Sequence, residues 1–214
     1  GAQMMSSNLN QRAWIGYQDE NIHHIPFPYP WQLNGRNGEE FLEFGLQKLV
    51  EQGIDIEHDV SGFMLETFQG WGAVFYPKEF VQSISDICNK YGILLAFDEM
   101  QAGFGRTGLN FGFEHYGVKP DLICVGKGMG GGVALSGVIG KKEVMDLPDI
   151  GNMSSTHSAN PLVCGAGLAV LRELQERDLV NEANRKGKLF RTGLENIKKH
   201  FSHRISWILG EGMI

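Results

Sequence analysis

The sequence predicts an α/β fold built on a mostly parallel sheet, and three observations carry that prediction. In Leu94–Gly108 (LLAFDEMQAGFGRTG) the apolar run Leu94-Leu95-Ala96-Phe97 ends abruptly in Asp98-Glu99-Met100-Gln101. In Asp121–Gly132 (DLICVGKGMGGG) the run Leu122-Ile123-Cys124-Val125 ends in Gly126, Lys127 and a series of glycines. Apolar runs this short, with glycine close by, predict strands buried on both faces of a parallel sheet. The third observation is a helical pattern set between two strands, which makes a βαβ unit with a right-handed crossover. In such sheets ligands sit outside the carboxyl ends of the strands. Asp98 and Lys127 fall there, so the chemistry is expected at that end.

The elements follow in order. Asn21–Trp31 is a short extended run broken by Pro26, Pro28 and Pro30, hence a strand end and a loop. Glu39–Gln52 carries Phe41, Leu42, Leu46, Leu49 and Val50 at helical spacing and stops at Gly53. Phe63–Leu65 predicts a strand ending at Glu66. Pro77 opens a helix whose apolar residues Phe80, Ile84, Ile87 and Tyr91 recur every three to four positions, and Gly92 ends it. Strands are expected at Ile93–Phe97, Leu122–Val125 and Leu135–Ile139. Pro161 begins a helix through Glu176 with Asn160 as its N-cap. Asp178–His200 reads as a long amphipathic helix, and Ile205–Leu209 as a further strand.

Composition narrows the function classes. The 214 residues suffice for one large domain or one and a half. A net charge of -6 and the absence of a Lys/Arg-rich block argue against a nucleic-acid surface. Lys141-Lys142 and Lys198-Lys199 read as solvated helix faces. No apolar run is long enough for a membrane span, so no membrane partner is expected. Cys88, Cys124 and Cys164 are odd in number, widely spaced and set in apolar segments. They predict buried free thiols in a reducing compartment, and the chain reads as cytoplasmic. His23 and His24, adjacent on an extended segment, face opposite sides. His200 and His203 sit at a helix end among lysines. No metal is assigned.

The segment Asp98-Glu99-Met100-Gln101-Ala102-Gly103-Phe104-Gly105-Arg106-Thr107-Gly108 resembles the signature of the class III (omega-amino-acid type) aminotransferases, which depend on pyridoxal 5'-phosphate (PLP). Glu66-Thr67-Phe68-Gln69-Gly70 and Thr156-His157-Ser158-Ala159-Asn160-Pro161 match two further family motifs, in the right order around Lys127. The resemblance covers Gly62 to Ile214 and, more loosely, the stretch before it. It implies the three-layer large domain of the aspartate aminotransferase-like transferases (fold type I), truncated here. Residues 1–177 would be a partial PLP-binding large domain, and residues 178–214 a bridging helix and the start of a small C-terminal domain. Family members run beyond this chain in both directions. They carry a phosphate-binding loop and a ring-stacking aromatic upstream and a carboxylate-binding arginine downstream, so the chain is expected to be a fragment.

The resemblance assigns roles to residues. Lys127 is the candidate Schiff-base lysine. Its flanking glycines let the backbone approach a bulky ligand, while a Walker A loop is excluded because glycine, not Ser/Thr, follows the lysine. Its amine must be neutral to act, which calls for burial and nearby positive charge. Asp98 is the partner of the pyridine nitrogen; a carboxylate there keeps the ring protonated and electron-withdrawing. Glu99 points to the opposite side and reads as structural. Gln101 resembles the residue that bonds the ring's phenolic oxygen. Met100 resembles the one that packs on the ring face, where the family usually carries a smaller branched side chain. Glu66 and Gln69 border the site or form a polar turn; Thr67 stands where the family has proline. Trp71 stands where several members have a gating glutamate. Thr156 resembles the threonine that reaches the phosphate of the neighbouring subunit's cofactor, which implies a homodimer. Arg106 contacts an anion or anchors its loop by an ion pair, with anchoring favoured.

The activity implied is transfer of an amino group from an amino acid or omega-amine donor to a keto acid. Two alternatives stay open. One is another PLP reaction on the same scaffold, a racemisation, an epimerisation or a decarboxylation coupled to transamination. The other is a chain incompetent for catalysis by itself.

Overall fold

The protein is represented by a computed structural model in which residues 2–6, 8–17 and 19–214 are described. The first helix, α1 (Leu9–Ala13), is capped by Asn8, whose side chain accepts from the amides of Asn10 and Gln11. The proline-broken stretch up to Trp31 contains no strand. Helix α2 (Gly38–Glu51) begins at a capping box, with Asn37 and Glu40 bonding each other's backbone amides. The sequence Asn37-x-x-Glu40 was the signal for this cap, and periodicity alone did not use it. Next come β1 (Gly62–Glu66), β2 (Phe68–Gln69) and β3 (Val74–Phe75). Helix α3 (Lys78–Tyr91) follows Pro77 and stops at Gly92, which takes the left-handed φ of 71°. An L side chain is strained in that conformation and glycine is not.

Strand β4 (Leu94–Asp98) pairs in parallel with β1 on one side and with β5 (Leu122–Val125) on the other. Strand β6 (Gly137–Gly140) closes the edge antiparallel to β5, giving the order β1-β4-β5-β6. Three of the four strands are therefore parallel. The antiparallel edge strand follows from the tight glycine turn after β5, which is too short for a crossover.

The core lies between one sheet face and the α2/α3 pair. Leu65, Leu95 and Phe97 from the strands pack with Phe41, Leu42, Phe80, Val81, Ile84 and Cys88 from the helices, and Tyr116 and Val118 close one end. The other face is not closed to the same degree. Ala96 and Cys124 are half-buried, and Met64 and Val138 are exposed. The expectation of strands buried on both faces thus holds for one face only. Apolar runs of four or five residues cannot say which face a helix will cover.

Three helices complete the chain: α4 (Lys142–Met145), α5 (Pro161–Glu176) and α6 (Leu179–His200). Asn160 caps α5 through its side chain to the Leu162 amide at 3.0 Å, as its place before Pro161 predicted. The strand expected at Ile205–Leu209 does not form. An alternating apolar run becomes a strand only beside a partner edge. Here the segment runs back along α6 instead, where Arg191 donates to the carbonyls of Ile208 and Gly210. Beyond it the Met213 amide donates to the Arg106 carbonyl at 2.9 Å. The thiols also divide: Cys88 is buried and Cys124 half-buried, but Cys164 lies on the exposed face of α5, not in the core. Among the described residues no helix is long and apolar enough to cross a membrane.

Candidate active site

The parallel register brings the sequence-predicted acids together. Glu66 at the end of β1 is the cross-strand partner of Asp98 at the end of β4, and Asp98 is the partner of Cys124 on β5. Three residues beyond Cys124 stands Lys127, where β5 has given way to a single 3-10 turn. Lys127 holds a φ of 43°, a left-handed conformation uncommon outside glycine. Such strain costs on the order of 1–3 kcal/mol and persists where a site fixes a side chain's direction.

Lys127 faces an open cleft of about 570 Å³ together with Met100, Gln101 and Arg106. Across it stand Val170 and Leu174 of α5 and Leu179 and Ala183 of α6, with Met213 and Ile214 beside them. The cleft thus pairs a polar wall with an apolar one, the form expected of a site for a small organic ligand. Lys127 is exposed on this wall, so the burial expected for its amine is not present in the structure.

One oxygen of Asp98 accepts the Met100 amide at 2.9 Å, so the acid also closes the turn that follows its strand. Glu66 shares its environment: partial burial first, and then the Asp98 carboxylate, push the Glu66 pKa up, while the Gly70 amide and the Lys127 ammonium pull it down. Glu66 is solvent-exposed at the rim, and water screens these interactions. Gly70 touches both acid and amide. A Cβ there would lie 2.9 Å from Glu66 Oε2 and 2.9 Å from Gln101 Oε1. Glu66, Gly70 and Gln101 are therefore packed at one point above the sheet.

Glu99 turns the other way, as its alternation with Asp98 predicts. It is fully buried, with Thr67 Oγ1 and the amides of Gly112 (2.7 Å) and Phe113 (2.9 Å) donating to its carboxylate. Burial pushes its pKa up, and the three donors hold it back. This accounts for Thr67 at a position where the resembling motif has proline: its hydroxyl donates to the buried acid, and its carbonyl accepts from Tyr116 Oη. The short β2–β3 hairpin, which periodicity did not reveal, carries Gln69. Its Oε1 accepts the Gly72 amide at 2.8 Å, so Gln69 closes the turn bearing Trp71. Trp71 itself is 77% exposed.

Two predicted residues stand apart. Thr156 lies in an exposed turn between β6 and α5 and does not line the cleft. Arg106 makes no ion pair among the described residues, which corrects the expectation that it anchors its loop electrostatically. The anchor is its backbone carbonyl, bonded by the Met213 amide, and the residue lines the cleft. Charge type alone does not distinguish these two uses of an arginine.

The residues present suit a pyridine aldehyde with an anionic group. An amine, a guanidinium, a thioether and an amide line one opening, and the Asp98 carboxylate stands at the end of the strand next to the one that delivers the lysine. Lys127 would hold the aldehyde carbon, Asp98 the ring nitrogen, and Met100 and Gln101 the ring face and phenolic oxygen.

The comparisons agree with this geometry. Residues 4–214 match the family described as aminotransferase class-III. A leucine/methionine racemase of Thermococcus litoralis is 36% identical over 212 residues, covering 97% of this chain and 47% of that protein. An acetylornithine aminotransferase of Caldanaerobacter subterraneus is 38% identical over 161 residues, 74% of this chain and 40% of that protein. Among solved structures, an (S)-enantioselective omega-transaminase from Thermomicrobium roseum superposes with a TM-score of 0.83 at 29% identity, covering 99% of this chain and 48% of its own. Taurine:2-oxoglutarate aminotransferase from Bifidobacterium kashiwanohense, solved in complex with PLP and glutamate, gives 0.82 at 27% identity, over 94% and 47% of the two chains. The chain spans about half the length of the relatives it matches. With ordered motifs, a mostly parallel sheet and a match over nearly its whole length, it belongs to the class-III aminotransferase family.

Proposed function

We propose that the protein of which this chain provides the lysine-bearing half is a PLP-dependent aminotransferase, passing an amino group from an amino acid or omega-amine to a keto acid. The observation that carries the reading is Lys127, held at a left-handed φ on a cleft wall, with Asp98 and Glu66 at the neighbouring strand ends. When bound, PLP supplies an electron sink for charge developing at the substrate Cα. The protein's part is placement. Lys127 Nζ would hold the aldehyde carbon, and the same amine would move the proton at the substrate Cα. Asp98 would favour a proton on the ring nitrogen by its negative charge. Gln101 would hydrogen-bond the phenolic oxygen, and Met100 would pack on the ring face. Residues 1–177 act as part of the cofactor domain, and α6 with the segment after it leads toward a second domain.

The exposed turn at Thr156 supports a homodimer in which this threonine reaches the partner's cofactor phosphate. The cytoplasm, where the thiols stay reduced, is the compartment this reading expects. A second reaction is supported by the racemases among the relatives, one of which matches 97% of this chain. Racemisation uses the same lysine and acid, so only products separate the two. The test incubates the complete protein and PLP with single-enantiomer amino acids, with and without a keto acid. Amino transfer that requires the keto acid supports the first reading. Loss of optical purity without it assigns the racemase.

A further inference from the structure

Met100 and Gly126 meet at the root of the lysine turn. A Cβ built on Gly126 would lie 2.4 Å from Met100 Sδ and 3.4 Å from its Cε, with Ser136 Cβ at 3.4 Å. The space a side chain at position 126 would need is filled by the thioether. Gly126 is not selected here for backbone freedom: its φ of 178° is open to any residue.

We propose that Met100 and Gly126 are a size-complementary pair that sets the cleft wall beside Lys127, making Met100 a positioning residue for the lysine turn. The proposal deepens the PLP reading and rests on it. Three contacts define the mechanism. The Met100 main chain is tethered, its amide donating to Asp98 Oδ1 at 2.9 Å. Its side chain lines the cleft that Lys127 also lines. Its thioether lies over Gly126, the residue that carries Lys127. A methyl group added at position 126 therefore cannot push the Met100 backbone aside and displaces the flexible thioether. The cleft is the open space beside it. There the sulfur would take up cleft volume beside Lys127, and the lysine turn would lose its packing.

The test is a double-mutant cycle in the complete protein. Gly126→Ala should weaken PLP binding at least about tenfold, the scale of an overpacked contact. The absorbance maximum of the lysine-bound cofactor should shift with it. Met100→Val in the Gly126→Ala background removes the displaced atoms and should bring affinity to within about threefold of wild type and return the absorbance maximum. Wild-type affinity in Gly126→Ala, or a double variant as weak as that single one, overturns the pair. Thermal unfolding without PLP reads the packing by itself, where Met100→Val should recover the melting temperature lost in Gly126→Ala. Strictly additive shifts in that experiment overturn the pair even if no PLP binds. Failure of the wild-type protein to take up PLP instead defeats the functional reading, so the two failures are distinguishable.

Discussion

At the scale of single residues, Lys127 and the Asp98 carboxylate on the neighbouring strand carry the first predictions. Lys127→Ala should abolish the visible band of lysine-bound PLP in the complete protein and reduce amino transfer by several orders of magnitude. An undiminished band would falsify the assignment. Asp98→Asn should leave PLP bound but lower turnover at least about a hundredfold, because a neutral side chain no longer favours the protonated ring. Near wild-type turnover at saturating PLP would reduce Asp98 to the turn-closing role its bond to the Met100 amide already shows. Glu99 behaves differently because it is buried with three donors and, among the described residues, no ion-pair partner. Glu99→Ala leaves those donors unanswered and should cost about 3 kcal/mol. Burial raises the folded-state pKa of Glu99 above its ordinary value of 4.5. Its stabilising contribution is thus full below that value and is lost as pH rises through the raised one. Denaturant titrations at a series of pH values should show the difference between wild type and Glu99→Ala shrinking from acid toward neutral. A difference that grows over that range would mean the donors outweigh burial.

At the scale of elements, helix ends decide more than helix middles. Helix α2 starts at the Asn37–Glu40 capping box, and the Gly38 amide also donates to Glu79 of α3 at 3.1 Å. This second cap ties α2 to the helix it packs beside over the sheet. Asn37→Ala should therefore cost about 1 kcal/mol in denaturant unfolding with no change in PLP binding. A loss of cofactor affinity in that variant would show that the cap acts on the site and not only on α2. The same logic makes some element ends legible in the sequence. Helix α3 is bounded by Pro77 and Gly92, and α5 by Asn160-Pro161, and these residues act locally whatever the rest of the chain does. The β2–β3 hairpin escaped notice because strands of two residues have no periodicity. Gly70-Trp71-Gly72 was its one local signal.

At the scale of the whole molecule, apolar surface remains in view. Leu162, Leu168 and Leu171 on α5, and Ile150 and Met153 in the preceding turn, are exposed. Leu168 and Leu171, three positions apart, share one face of α5, and exposed apolar surface of this kind marks an interaction face. The dimer reading therefore predicts twice the protomer mass by light scattering. Leu168→Asp combined with Leu171→Asp should shift that mass toward the protomer. A wild-type protomer mass across micromolar concentrations would remove the partner subunit from the proposed site.

The sequence by itself determined the family, the acid and the lysine at adjacent strand ends, and most element boundaries. These follow from local chemistry: the apolar run, the glycine stop and the capping residue act within a few positions of one another. Only the tertiary structure decided how those elements meet. It set Glu66 opposite Asp98 by register, and it left one sheet face half-open while α2 and α3 closed the other. Arg106 was turned into the cleft instead of an ion pair, and Ile205–Leu209 was kept from pairing as a strand. It also fitted the Met100 thioether into the space Gly126 leaves. Each of these depends on groups far apart in the chain, and no local pattern specifies which distant surface a side chain will find.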